Sequence, residues 1–310
     1  MKLAGTVLVW VVRLLALPVL TEAAMAQPPE AEPPSPISRM ADGRPDLQGV
    51  WEFRWRTFLV RPPGAPAIAR DAAEADLMVE RQKTFFRALP GNGNPESDLD
   101  LTTLVRVNGE YRMSLIVDPP SGQIPWLESE RMALPRPTDK PIDDPEERAP
   151  NERCIAMQTF PVIPIPTNNY VQVIQPPGAV VMIPEALGEI RRLAPGVARE
   201  DADVSSRWEG DTLVVESRNF FPALRFTQPM TMVGFSGATS VRESFTPVSR
   251  DEILYRFTIT DPTLYSHPWT VETAWVRSRE RLFEYACHEG NYALTNMLQG
   301  GRARDGAPPR

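Results

Sequence analysis

Thirty-four of the 310 residues are proline, about twice the roughly 5% usual in proteins. Each proline removes a backbone donor, breaks a helix interior and is kept out of central strands. Spread along the chain, they leave only short uninterrupted segments and exclude a bundle of long helices. One stretch escapes them. Ala67 to Leu89 carries no proline and is rich in Ala, Glu, Arg and Met, which predicts a helix. Leu77, Phe85 and Leu89, at multiples of four, form its expected apolar stripe.

Elsewhere the pattern is one of strands. A first strand is expected at Asp46 to Phe53. Leu104–Val107 and Glu110–Val117 flank Asn108-Gly109, a strong hairpin signal. Tyr170–Gln175 and Ala179–Ile183 surround Pro176-Pro177-Gly178. Ser206–Trp208 and Thr212–Glu216 flank Gly210-Asp211. Further strands follow at Thr231–Phe235, Ser240–Thr246, Ile253–Thr260, Thr270–Arg277 and Leu282–Cys287. Alternation puts Ile253, Tyr255, Phe257 and Ile259 on one face, and Trp269, Val271, Thr273 and Trp275 on another. The expected fold is mainly β: an antiparallel meander closing as a barrel or strongly curved sheet, with one inserted helix near 67–89 and a short C-terminal helix near 291–299.

The composition also sets a context. Net charge is −7, with 40 acidic against 33 basic side chains, which argues against a nucleic-acid partner. Met1 to Ala26 reads as a secretory signal, with Lys2 and Arg13, an apolar run at Leu14–Leu20 and a small-x-small site at Ala24-Met25-Ala26. No later segment is apolar enough for a membrane span. The organisation expected is a signal at 1–26, a flexible Pro-rich linker at 27–45, one barrel-like domain at 46–300 and a disordered tail at 301–310. The protein is then periplasmic or secreted. In that setting the only two cysteines, Cys154 and Cys287, are expected to pair.

Motifs for nucleotide, phosphate, zinc-protease and serine-hydrolase chemistry are missing, and two histidines do not make a multi-histidine metal site. No cofactor and no metal is expected. The densest polar cluster is Cys287-His288-Glu289-Gly290-Asn291-Tyr292. His288 would act as acid or base, oriented by Glu289, with Asn291 and Tyr292 contacting a ligand. A second cluster, Tyr265-Ser266-His267-Pro268-Trp269, brings His267 to the same barrel end if one strand leads up from it and the next leads back to His288. Tyr265, Trp269 and Asn169 complete the expected ligand contacts. The bland alternatives are a capped turn at His288 and a solvated loop at His267. Glu216, Glu243, Glu272 and Glu284, interleaved with Arg242, Arg256 and Arg277, are expected as cross-strand ion pairs on the outer face; pointing inward instead, they would form a buried acid–base array, and the sequence does not fix the direction.

Two resemblances can be stated. Asp46-Leu47-Gln48-Gly49-Val50-Trp51, Ser114 to Pro120, Glu152-Arg153-Cys154, Trp208 to Glu216 and Glu284 to Tyr292 resemble, in that order, a widespread family of exported bacterial proteins whose function is unsettled. Gly49-Val50-Trp51 also resembles the G-x-W signature of lipocalin-like barrels, in which the tryptophan closes the barrel base. That resemblance implies this role for Trp51. No arginine stands out in the sequence as its partner.

The function these features lead to is the handling of a small apolar or aromatic molecule in a barrel cavity. One form is a cofactor-free lyase, isomerase or hydratase using His288 and His267. The others are a non-catalytic ligand-binding or carrier protein, or an envelope-associated structural protein with a solid core.

Overall fold

The structure, a computed structural model, describes residues 36–53, 57–87, 104–133, 144–148, 152–155, 160–163, 169–186, 190–197, 203–220, 223–227, 231–304 and 306. The expected signal at 1–26 lies outside them, and residues 34–310 form one compact unit. The linker expected at 27–45 is ordered at its end, where Arg39 bridges to Pro45 and pairs with Asp211 at 2.7 Å.

Nine antiparallel strands form a nearly closed barrel. They are β1 (Gly49–Phe53), β5 (Tyr170–Ile174), β6 (Val180–Pro184), β7 (Arg191–Leu193), β8 (Val204–Glu209), β9 (Thr212–Arg218), β12 (Ser240–Pro247), β13 (Glu252–Thr260) and β14 (Trp269–Ser278). Their spatial order is β7-β6-β5-β1-β14-β13-β12-β9-β8. The two edges meet where the Gly196 amide donates to the Ser206 carbonyl at 2.8 Å. The short strands β2 (Arg106–Val107) and β3 (Glu110–Tyr111) form a hairpin through Asn108 and Gly109, both at positive φ as a tight two-residue turn requires. β4 (Ile116–Asp118) pairs with the start of β14, and β10 (Ala223–Thr227) pairs with β11 (Thr231–Phe235).

The alternation expected of β13 and β14 holds. Ile253, Tyr255, Phe257, Ile259, Trp269, Val271, Thr273 and Trp275 are all buried and face the interior, joined by Phe53, Phe245, Val171 and Val215 from neighbouring strands. On β14 the opposite face is buried as well, at Thr270, Glu272 and Ala274. A second layer covers it: residues 57–61 and 112–116 bond to each other, and the Glu272 amide donates to the Leu115 carbonyl at 2.9 Å. Helix α1 (Ala72–Arg87) lies in this layer. Its buried residues are Ala75, Met78, Val79 and Gln82, whereas Leu77 is exposed. The stripe expected through Leu77 is therefore rotated, because the helix packs on Phe58, Leu104 and Met113. The side chains of Phe85 and Leu89 fall outside the description.

The strand expected at 282–287 is not formed. Residues 281–286 are irregular and lead through a turn at 287–290 into α3 (Tyr292–Arg304). The preceding strand offers them no free side, since β14 is already paired by β1 and β13. The C-terminal helix thus runs past residue 301, where a disordered tail was expected. The disulfide Cys154–Cys287 is present, with its cysteines 133 positions apart.

Candidate functional site

The barrel interior is aromatic. Trp275 touches Tyr255, Phe245 and Phe53 with ring centroids 5.0, 5.2 and 5.7 Å apart, and Phe245 stacks on Tyr255 at 4.8 Å. Into this lining the fold places an ion pair whose inward direction the strand pattern left open. Glu243, expected on the solvated face, is 0% exposed and points inward. It pairs with Arg191 of β7, whose guanidinium lies 3.9 Å from the Phe160 ring. The inward turn follows from register: Glu243 alternates with Arg242 and Ser244 and shares the face of Val241 and Phe245.

Tyr255 completes the cluster. Its hydroxyl donates to Glu243 Oε1 at 2.6 Å and accepts from the Val162 amide at 3.0 Å. Burial, with the adjacent Glu243 charge adding to it, holds the Tyr255 phenol well above its ordinary pKa. The hydroxyl therefore stays protonated and acts as a donor. The Val162 contact also fixes the segment 160–163 into the core.

The barrel has a distinct closure at each end. At one, the Trp51 indole donates to the Leu47 carbonyl at 2.8 Å, and the Arg277 guanidinium lies 4.3 Å from its ring centroid. Arg277 donates to the carbonyls of Gln48 at 2.7 Å and Arg250 at 2.9 Å. Burial lowers the pKa of its guanidinium, while nearby Asp251 opposes that shift. Gly49 has φ +135°, and a Cβ there would collide with Arg277 Nη1. The partner of Trp51 is thus Arg277, directly opposite it in the β1–β14 register. At the other end, Tyr265 packs on Trp126 at 4.8 Å and edge-on to Trp269 at 5.6 Å. Its hydroxyl donates to the Gly234 carbonyl at 2.8 Å and accepts from the same residue's amide at 2.9 Å. Burial pushes the Tyr265 phenol up in turn.

The residues expected to form one site fall into several places. Tyr265 and Trp269 belong to the buried closure just described. Asn169 is buried beside β1, where its carbonyl accepts from the Phe53 amide at 3.0 Å. His267 is exposed, with Nδ1 3.0 Å from the Ser266 hydroxyl. His288, Glu289 and Tyr292 are exposed near the start of α3. Among the described residues, no hydrogen bond or ion pair joins His288 to Glu289 or to His267. Both histidines would share a barrel end only if a strand ran through 282–287, and that strand is absent.

Asn291 donates to Cys154 Sγ at 3.2 Å and to the Glu152 carbonyl at 3.3 Å. An open cavity of about 380 Å³ lies there, lined among others by Glu152, Tyr285, Cys287, Glu289, Asn291 and Met297. Of the strand carboxylates, Glu216 pairs with Arg207 and Arg242 on the outer face, and Glu284 is exposed outside any strand. Glu272 faces outward but is buried beneath the second layer, where Arg112 reaches it at 2.8 Å. Among the described residues, no group of three or more His, Cys, Asp or Glu side chains is arranged to hold a metal ion. No helix of the described residues is long and apolar enough to cross a membrane.

No family model, no curated protein and no solved structure matches the chain.

Proposed function

We propose that this chain is an exported, lipocalin-like binding protein that holds a small, largely apolar molecule inside the barrel without transforming it. One observation carries the reading: a buried polar cluster, Glu243–Arg191–Tyr255, sits within an aromatic lining. A core built only for stability gains little from such a pair, because replacing it with apolar side chains is often neutral or favourable. A ligand chamber does use a few placed polar groups among aromatic walls. Barrels of eight strands already have room for one small ligand, and this barrel has nine strands in its path. The Trp51–Arg277 closure supports the lipocalin likeness, and the disulfide suits an oxidising compartment. Binding rather than catalysis is favoured because both histidines are exposed and uncoupled.

The test is a titration of the purified chain with 1-aminoanthracene, a fluorescent apolar probe. Saturable one-to-one enhancement is expected. Val215→Phe and Val271→Phe, which fill the interior, should remove it while the melting transition stays cooperative. His288→Ala should leave it unchanged. Absence of saturable binding, or binding that survives both filling substitutions, overturns the proposal.

A further inference from the structure

Three inward positions on β14, Trp269, Thr273 and Trp275, hold polar atoms without a hydrogen-bond partner among the described residues, and the last two are neighbours on one face. Thr273 and Trp275 are both 0% exposed. Thr273 Oγ1 and Trp275 Nε1 have no hydrogen-bond partner among the described residues. They are two residues apart, so they project from the same face. Thr273 lies opposite Tyr255 in the strand register, and the Trp275 indole is walled by Tyr255, Phe245 and Phe53. A buried polar group without a partner is costly and rare in native proteins. Two side by side in an aromatic enclosure point to a partner that the chain does not supply.

The chemistry of that partner follows from the donors. An indole Nε1–H can only donate, and a threonine hydroxyl can donate as well. The missing partner is therefore an acceptor. It is also uncharged. The interior cation, Arg191, is already paired with Glu243, and the Glu243 carboxylate already takes Arg191 and the Tyr255 hydroxyl. An ionised ligand would bring an unpaired charge into a dry enclosure, which is strongly unfavourable. The surrounding rings favour a flat, unsaturated body.

We infer that the barrel recognises a neutral aromatic or other flat cyclic molecule through a carbonyl oxygen, which accepts hydrogen bonds from Thr273 Oγ1 and Trp275 Nε1. The inference rests on the binding reading above and names the ligand class of the same site.

Three probes of similar size separate the possibilities: acetophenone, ethylbenzene and benzoate. Each is competed against 1-aminoanthracene on the full chain, with ligand-detected NMR as a second readout. Acetophenone should bind about tenfold more tightly than ethylbenzene, the worth of one good hydrogen bond. Benzoate should bind more weakly than either. In Thr273→Val, acetophenone should fall toward the affinity of ethylbenzene, ethylbenzene should not change, and the melting temperature should hold or rise because an unsatisfied hydroxyl has been removed.

If acetophenone and ethylbenzene bind equally, or if benzoate binds best, the inference is overturned while the binding reading stands. If Thr273→Val lowers the melting temperature and leaves acetophenone binding intact, the hydroxyl is structural and the inference is overturned. If Thr273→Val does not fold, Trp275→Phe gives the same discrimination between acetophenone and ethylbenzene. If no probe binds, 1-aminoanthracene included, both readings fail together.

Discussion

Glu243 and Arg191 show how little a single residue's type says about its place. Both are charged, yet Glu243 is 0% exposed and Arg191 is 8% exposed. Removing one member leaves the other charge buried without compensation, which costs about 3–5 kcal/mol. Glu243→Leu should therefore destabilise strongly, whereas Glu243→Leu combined with Arg191→Met should recover much of the loss. Urea denaturation of the two variants decides this, and a double variant no more stable than Glu243→Leu would mean that the pair is not coupled. Tyr255 makes a pH prediction. Its phenol is held above the ordinary value of 10.0 by burial and by Glu243. A raised pKa stabilises the folded state fully below the unfolded value and is lost as pH rises past it. Stability should thus decline above about pH 10, together with a late rise in tyrosinate absorbance. In Tyr255→Phe that component of the alkaline decline should vanish. The variant should also lose about 1–3 kcal/mol at neutral pH, since the Val162 amide loses its acceptor and Glu243 loses a donor.

At the scale of elements, β1 is held by more than its ladder. It pairs β14 on one side and β5 on the other, and its side-chain links to β14 include the Arg277 guanidinium over Trp51. Gly49 makes room for that guanidinium in a backbone conformation that side chains rarely adopt. Gly49→Ala should therefore cost more than an ordinary surface change, about 2 kcal/mol or above, by displacing Arg277 and straining φ. Arg277→Ala should lose a similar amount, and the double variant should lose less than the sum, because both changes break one closure. Thermal melts of the three proteins give the result. Strict additivity would show that Gly49 acts only through its own backbone. The two halves of this closure differed in legibility. Trp51 was marked by its motif, whereas Arg277 was one arginine among several on predicted strands until pairing placed it opposite.

For the whole molecule, the disulfide encloses most of the barrel. β5 to β14 all lie between Cys154 and Cys287, which are 133 residues apart. Closing a loop of that length restricts the unfolded chain, with an expected contribution of about 4–5 kcal/mol. Reduction and alkylation should lower the urea midpoint accordingly while the barrel still folds. Helix α3 should feel the loss first, since its buried residues are Leu298 and Gly301. Hydrogen exchange over 292–304 should then accelerate before that of β12–β14. An unchanged midpoint after complete reduction would show that the link is incidental to the stability of the fold.

The β class, the hairpin at Asn108-Gly109, the alternating faces of β13 and β14 and the cysteine pair were all readable from the chain, because each depends on local chemistry: turn residues, a two-residue period, and only two thiols to join. The direction of Glu243, the partner of Trp51 and the burial of both faces of β14 were not, because each depends on which strand lies alongside. The same holds for the failed strand at 282–287. Its residues read as a strand, but a strand needs an unpaired edge, and the barrel had already used both edges of β14. His288 and His267 looked like one site on the strength of that missing strand. Thr273 and Trp275 looked like ordinary core. Only the packed interior showed that Thr273 Oγ1 and Trp275 Nε1, like Trp269 Nε1 on the same strand, have no hydrogen-bond partner among the described residues.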